Sequence, residues 1–198
     1  MANTQTAEVN AGGTKIPAHL PSNKDMWVFV LGDLVIFSSY FIIFEIYRHQ
    51  QRQTFLSAQQ HLSLSIGVVN TLVLLASSWF VAQSVQLTRA GEYERAMRLT
   101  VGGGLCGVVF ILLKAYEWST KIGHGLTFGS NDFFMFYYML TGVHLFHVAL
   151  GLVFLGVVFF ELRNPKLRRV SMVETGATYW HMVDLLWVVI FALMYVMR

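Results

Sequence analysis

The chain's 198 residues are 55% hydrophobic and 15% aromatic with only 13% charged, against about 25% charged in ordinary soluble domains. With a mean hydropathy of +0.53, it carries more apolar surface than a water-soluble core of this size can absorb, and lipid is the predicted solvent. The formal net charge of +3 comes without a basic stripe interleaved with aromatics, which argues against a nucleic-acid reader, and the single cysteine, Cys106, excludes a disulfide framework or a thiolate pair for a dinuclear metal centre.

Residues 1–25 are polar and lack the basic n-region, short apolar stretch and small-residue cleavage site of a signal peptide. A flexible tail is expected there, with the first apolar segment as its own insertion signal. Five segments then reach the roughly 20 apolar residues that a spanning helix needs: 26–47, 62–85, 99–118, 133–162 and 177–197. The connections between them are too short to hold a separate soluble domain. The predicted fold class is therefore all-α, a polytopic membrane bundle of five transmembrane helices whose backbone polar groups are satisfied within each helix.

The basic residues divide unevenly between alternate sides of the predicted membrane. Nine fall on the side of the N-terminal tail (Lys15, Lys24, Arg89, Arg95, Arg98, Arg163, Lys166, Arg168 and Arg169) and five on the other (Arg48, Arg52, Lys114, Lys121 and Arg198). This bias predicts a cytoplasmic N-terminus and an outer C-terminus. The fourth segment, about 45 Å long at 1.5 Å per residue, must tilt or protrude. Gly103 and Gly107, four apart in the third segment, predict a close helix crossing.

The residues that lipid should exclude are Asp33, Asn70, Glu117, His144, His147, His181 and Asp184. An ionisable group at mid-membrane costs about 2.5–3.5 kcal/mol on the insertion scale, so each needs a partner, a proton or a cavity. Asp33 and Asp184 are each eighth in their segments and are expected at similar depth. His144 and His147, like His181 and Asp184, are three apart on one helical face, so four protonatable groups on two helices can face one another. Three readings compete: a metal or haem site built on imidazoles, a proton path or antenna through Asp33, and a hydrogen-bonded polar seam that fixes helix order. Lys114 and Glu117, also three apart near the end of the third segment, are expected to snorkel toward the interface as an ion pair.

Three strings in these segments resemble subunit III of the haem-copper respiratory oxidases: NTLVLLASS at 70–78, TGVHLFHVALG at 141–151 and YWHMVDLLW at 179–187. The likeness runs from about residue 26 to the C-terminus, and five helices fit the short bacterial form rather than the seven-helix mitochondrial one. It implies a non-catalytic subunit of a respiratory complex in the bacterial inner membrane. No cofactor of its own is implied; haem and copper belong to a catalytic partner subunit, and bound phospholipid is expected. Asp33 falls where the family usually has a carbodiimide-reactive glutamate, and Glu117 matches a second acidic position. Lys114 stands where many oxidase members have an uncharged residue; with WHMVD at 180–184 and NDFFMF at 131–136 it looks more like the NorE-type branch associated with bacterial nitric oxide reductases. Two further classes remain at this stage. A self-sufficient membrane protein could bind haem or quinone through His144, His147 and His181. A small transporter or proton channel is less favoured, because no inverted repeat or broken half-helix is visible.

Overall fold

In a computed structural model, residues 24–197 are described, with side chains from Met26. These residues form helices α1 (Lys24–Gln50), α2 (Arg52–Gln59), α3 (Leu64–Arg89), α4 (Tyr93–Gly123), α5 (Asp132–Arg163) and α6 (Val170–Phe191), the last running into a π-turn at Ala192–Val196. Five of these are long and apolar enough to cross a membrane, all except α2. All but the last two residues of the predicted tail, 1–25, lie outside the described residues, as does Arg198.

The helices extend beyond the apolar windows read from sequence. Helix α4 has 31 residues against a predicted span of 99–118, because its polar ends stay helical while only the middle looks like lipid-phase sequence. Helix α6 starts at Val170, seven residues before the predicted 177, and takes in Glu174, whose carboxylate receives Arg89 Nη2 at 2.6 Å. Helix α2 was not foreseen. It buries Phe55, Ala58 and Gln59, and the Gln59 side-chain amide donates to the carbonyls of Met194 and Met197 at 2.8 and 2.9 Å, occupying acceptors that the end of α6 leaves over.

Two tight reversals set the antiparallel order. Gly91 and Gly125, at φ +81° and +76°, each follow a helix end. At the first, Glu92 N–H donates to the Leu87 carbonyl and Gly91 N–H to Thr88. At the second, Leu126 N–H donates to Lys121 and Gly125 N–H to Ile122. Both are Schellman closures, which need a left-handed residue that glycine adopts without steric cost. Helix α5 starts with Asn131 Oδ1 accepting from Phe134 N–H at 2.9 Å.

Small residues decide how closely the helices approach. Gly103 lies where a side chain would press on Val81, and Ser77 Oγ donates to the Gly103 carbonyl at 2.7 Å, joining α3 to α4. A Cβ at Gly107 would stand 2.6 Å from the Trp180 indole, and one at Gly151 would stand 2.7 Å from it. The predicted close crossing is therefore two crossings, one by α3 and one that seats Trp180 of α6 between α4 and α5. Helix α1 lies at the edge of the bundle against α2, α5 and α6, and turns Val28, Leu31, Val35 and Ile36 outward.

Candidate functional site

The bundle holds two groups of ionisable side chains with different surroundings. The first is on α4. Lys114, Glu117 and Lys121 recur at three- and four-residue steps along one face, and the structure buries all three. Lys114 Nζ donates to Glu117 Oε2 at 2.8 Å, to the Tyr195 hydroxyl at 2.7 Å and to the Tyr137 hydroxyl at 3.2 Å. Those are the three donors an ammonium has. The Tyr195 hydroxyl in turn donates to Glu117 Oε1 at 2.8 Å, and Lys121 Nζ stands 3.1 Å from the same oxygen. The rings of Tyr137, Trp187 and Tyr195 lie about the Lys114 ammonium with centroids at 4.9, 5.0 and 5.2 Å.

This corrects the expectation that Lys114 and Glu117 snorkel to the interface, since their side chains are 0% and 1% exposed. A lysine can remain in the interior when tyrosine hydroxyls, aromatic faces and a carboxylate replace its water. Lys121 and Tyr195 were not among the residues singled out from sequence. Lys121 was legible, being seven residues, or two turns, after Lys114. Tyr195 was not, because it arrives from the π-turn at the far end of the chain.

The second group joins α1 to α5. His147 Nε2 lies 3.5 Å from Asp33 Oδ2, with side chains 12% and 15% exposed. The separation suits an ion pair but is too long for a good hydrogen bond. His147 Nδ1 sits 2.8 Å from the Val143 carbonyl, and because a carbonyl only accepts, that nitrogen carries the proton. The His147 ring also meets Phe37 edge-on at 5.3 Å.

The other predicted residues do not join a four-member cluster. His144 is fully buried among the rings of Phe110 and Trp187, at 5.6 and 5.2 Å, and neither nitrogen has a hydrogen-bond partner. His181 Nδ1 lies 2.7 Å from Ser78 Oγ on α3, and its Nδ1 is 4.0 Å from Asp184 within α6. Asn70 and Asp184 are buried without a direct hydrogen bond to protein. The expected confrontation of His144 and His147 with His181 and Asp184 is thus corrected. A three-residue step shares a face only loosely, and each side chain follows its nearest neighbour helix: Phe110 and Trp187 for His144, α1 for His147, α3 for His181.

That dispersal also bears on a haem of the chain's own. His144 is enclosed by aromatic rings and His147 and His181 engage different helices, so the imidazoles do not fit a shared ligand set. Among the described residues no three His, Cys, Asp or Glu side chains are grouped as metal ligands. Sequence reading also missed the side-chain rungs that fix α6 to α3: Trp180 Nε1 donates to Ser77 Oγ at 3.0 Å and Trp187 Nε1 to Thr71 Oγ1 at 3.1 Å. Serine and threonine in an apolar run are unremarkable until their partners are known.

Comparison with known proteins points to a single family. Residues 20–198 match the family described as cytochrome c oxidase subunit III. The chain is 28% identical over 98% of its length to the whole of a probable cytochrome c oxidase subunit 3 of Mycobacterium bovis. It is also 28% identical to the cytochrome c oxidase subunit 3 of Bacillus sp. PS3, across 86% of the chain and 83% of that protein. A heme-copper oxidase subunit I+III of Aeropyrum pernix matches 89% of the chain at 26% identity, over 23% of its own length. These relatives give no support to the nitric oxide reductase branch. With five helices long and apolar enough to cross a membrane and a family match that covers nearly the whole chain, this protein belongs to the cytochrome c oxidase subunit III family, as a multi-pass, non-catalytic subunit of a haem-copper oxidase.

Proposed function

We propose that the chain braces the catalytic haem-copper subunit of its complex, holds phospholipid, and presents Asp33 and His147 as a proton-accepting pair on the flank of that partner. The observation that carries the proton role is the pair itself. Its carboxylate and imidazole meet without a good hydrogen bond, remain partly accessible, and join α5 to α1, which turns apolar side chains outward beside Asp33. A carboxylate and an imidazole in that state can exchange protons, whereas the Lys114–Glu117 group is enclosed by its partners.

Bracing is supported by the outward apolar side chains of α1 beside Asp33 and by the Aeropyrum pernix relative, whose name joins subunits I and III in one chain. Haem and copper are assigned to the partner. The sidedness proposed is N-terminus in the cytoplasm of a bacterium, C-terminus outside. Lys114 and Lys121 were counted as loop charges on the outer side, yet both are buried along α4; removing them widens the basic bias toward the N-terminal side.

The test is turnover and proton uptake of the purified complex carrying Asp33→Asn. Slower turnover, or activity that decays sooner during catalysis, with the complex fully assembled supports the reading; unchanged turnover removes Asp33 from proton supply. Co-purification of a haem-copper subunit with the tagged chain tests the bracing role separately.

A further inference from the structure

We infer that a phosphate-class anion, carried by a phospholipid headgroup or free in solution, binds in the cavity between the start of α3 and the end of α4. The cavity has a volume of about 450 Å³ and is lined by His61, Ser63, Glu117, Thr120, Lys121 and His124 among others. It lies at the end of the bundle that carries α2 and the reversal at Gly125, away from the Asp33–His147 pair.

Hydrogen-bond donors and acceptors around the cavity are unequally engaged. The Glu117 carboxylate and the carbonyls of residues 120–122 at the end of α4 are already engaged. The Thr120 carbonyl receives His124 N–H and lies 2.7 Å from His124 Nδ1, the carbonyls of Lys121 and Ile122 accept from Leu126 and Gly125, and both Glu117 oxygens are held by Lys114, Lys121 and Tyr195.

Donors are left over. Ser63 precedes α3 with extended backbone and provides no side-chain cap, so the amides of Leu64, Ser65 and Ile66 have no intrahelical acceptor. Lys121, though buried, has only one partner oxygen, that of Glu117, and an ammonium has three donors. Two ammonium groups against one carboxylate also leave one positive charge in excess. The N-terminal end of a 26-residue helix adds partial positive charge on one side of the cavity, while the opposing end of α4 has its carbonyls closed by the Schellman bonds. Surplus donors with surplus positive charge fit an oxyanion, and the bonds such a ligand forms are charge-assisted.

The surroundings suit a headgroup. Tyr116 and Ile66 line the cavity, and one turn deeper along each helix Leu112 and Val69 are exposed, which gives acyl chains an apolar lane below the phosphate. The headgroup arm deepens the proposal that the chain holds phospholipid; the free-anion arm does not depend on it.

The experiment measures phosphatidylglycerol retention by native mass spectrometry and thermal stabilisation by inorganic phosphate, on the full chain in detergent. Two variants are compared with the unaltered protein. Lys121→Met removes the ammonium. Ser63→Asp places a carboxylate at the cap of α3, where aspartate is favoured for folding and where it takes the ligand's place. Weakening of phosphatidylglycerol binding by about tenfold or more in Ser63→Asp identifies the headgroup as ligand. Loss in Ser63→Asp of a phosphate-dependent rise in melting temperature, with lipid retention unaffected, identifies the free anion. Both support the site.

The site is overturned if Ser63→Asp binds both probes as the unaltered chain does, even where phosphatidylglycerol is retained and lipid binding itself stands. It is overturned equally if neither probe binds the unaltered chain. Should Lys121→Met fail to fold, Ser63→Asp alone decides, because Ser63 is exposed and makes no side-chain bond.

Discussion

The two ionisable groups of this bundle show opposite ways of keeping charge in a membrane. The three Lys114 donors and both Glu117 oxygens have partners, and the aromatic rings of Tyr137, Trp187 and Tyr195 close over the Lys114 ammonium. Asp33 and His147 are 3.5 Å apart, partly open, and one Asp33 oxygen lacks a hydrogen bond. A saturated network holds helices in place but has nothing free to exchange. A loosely held pair contributes little to stability and keeps its capacity to bind or release a proton. The difference between the two groups lies in how completely the partners satisfy each one, since both sets pair a carboxylate with a basic side chain in apolar helices.

The most severe way to challenge that contrast is Glu117→Gln, which leaves two buried ammonium groups without their carboxylate. Breaking such a group costs about 3–5 kcal/mol, enough to lose most folded chain, read as the yield of monodisperse protein and its melting temperature. Adding Lys114→Met and Lys121→Met to that variant should recover much of the stability, because well-packed apolar replacement of a whole buried ion group is close to neutral. Failure to recover would mean that the charges themselves specify the fold.

Next in size is Gly151→Val. The Trp180 indole lies 2.7 Å from where its Cβ would stand, so the α5–α6 approach must open, at about 1–3 kcal/mol, visible as a lower melting temperature and red-shifted tryptophan emission. Tyr195→Phe removes the hydroxyl that accepts from Lys114 and donates to Glu117. It should cost about 1–3 kcal/mol through the polar groups it strands, and a value near zero would show that the cluster is not saturated. The smallest stability effect belongs to Asp33→Asn, below about 1 kcal/mol, while its effect on turnover of the whole complex should exceed that of any variant that leaves assembly intact. If Tyr195→Phe slowed turnover more than Asp33→Asn at equal assembly, the assignment of roles would be reversed.

How much could be read beforehand differs along the chain. The five spans were visible because each is a long apolar run, and their excess length was not, because residues such as Tyr93–Arg98 and Glu174 are polar yet helical. The 179–187 string carried the family resemblance, but not that Trp180 sits between two glycines or that His181 turns to Ser78. Asp33 was recognised as an intramembrane acid. It was placed at the depth of Asp184, and its contact with His147 on α5 was not foreseen, since periodicity gives the face of one helix and not the rotation of the helix beside it.

By itself, the sequence determined the solvent, the number of crossings, and that Asp33, Glu117 and Asp184 fall inside apolar runs, because hydropathy and ionisation are local properties of a residue and its neighbours in the chain. Only the tertiary structure decided that Lys114 is held by a tyrosine 81 residues away, that His147 meets Asp33, and that donors outnumber acceptors beside Lys121. Those facts follow from the azimuth and depth at which separate helices pack, which arise from contacts summed over the whole bundle.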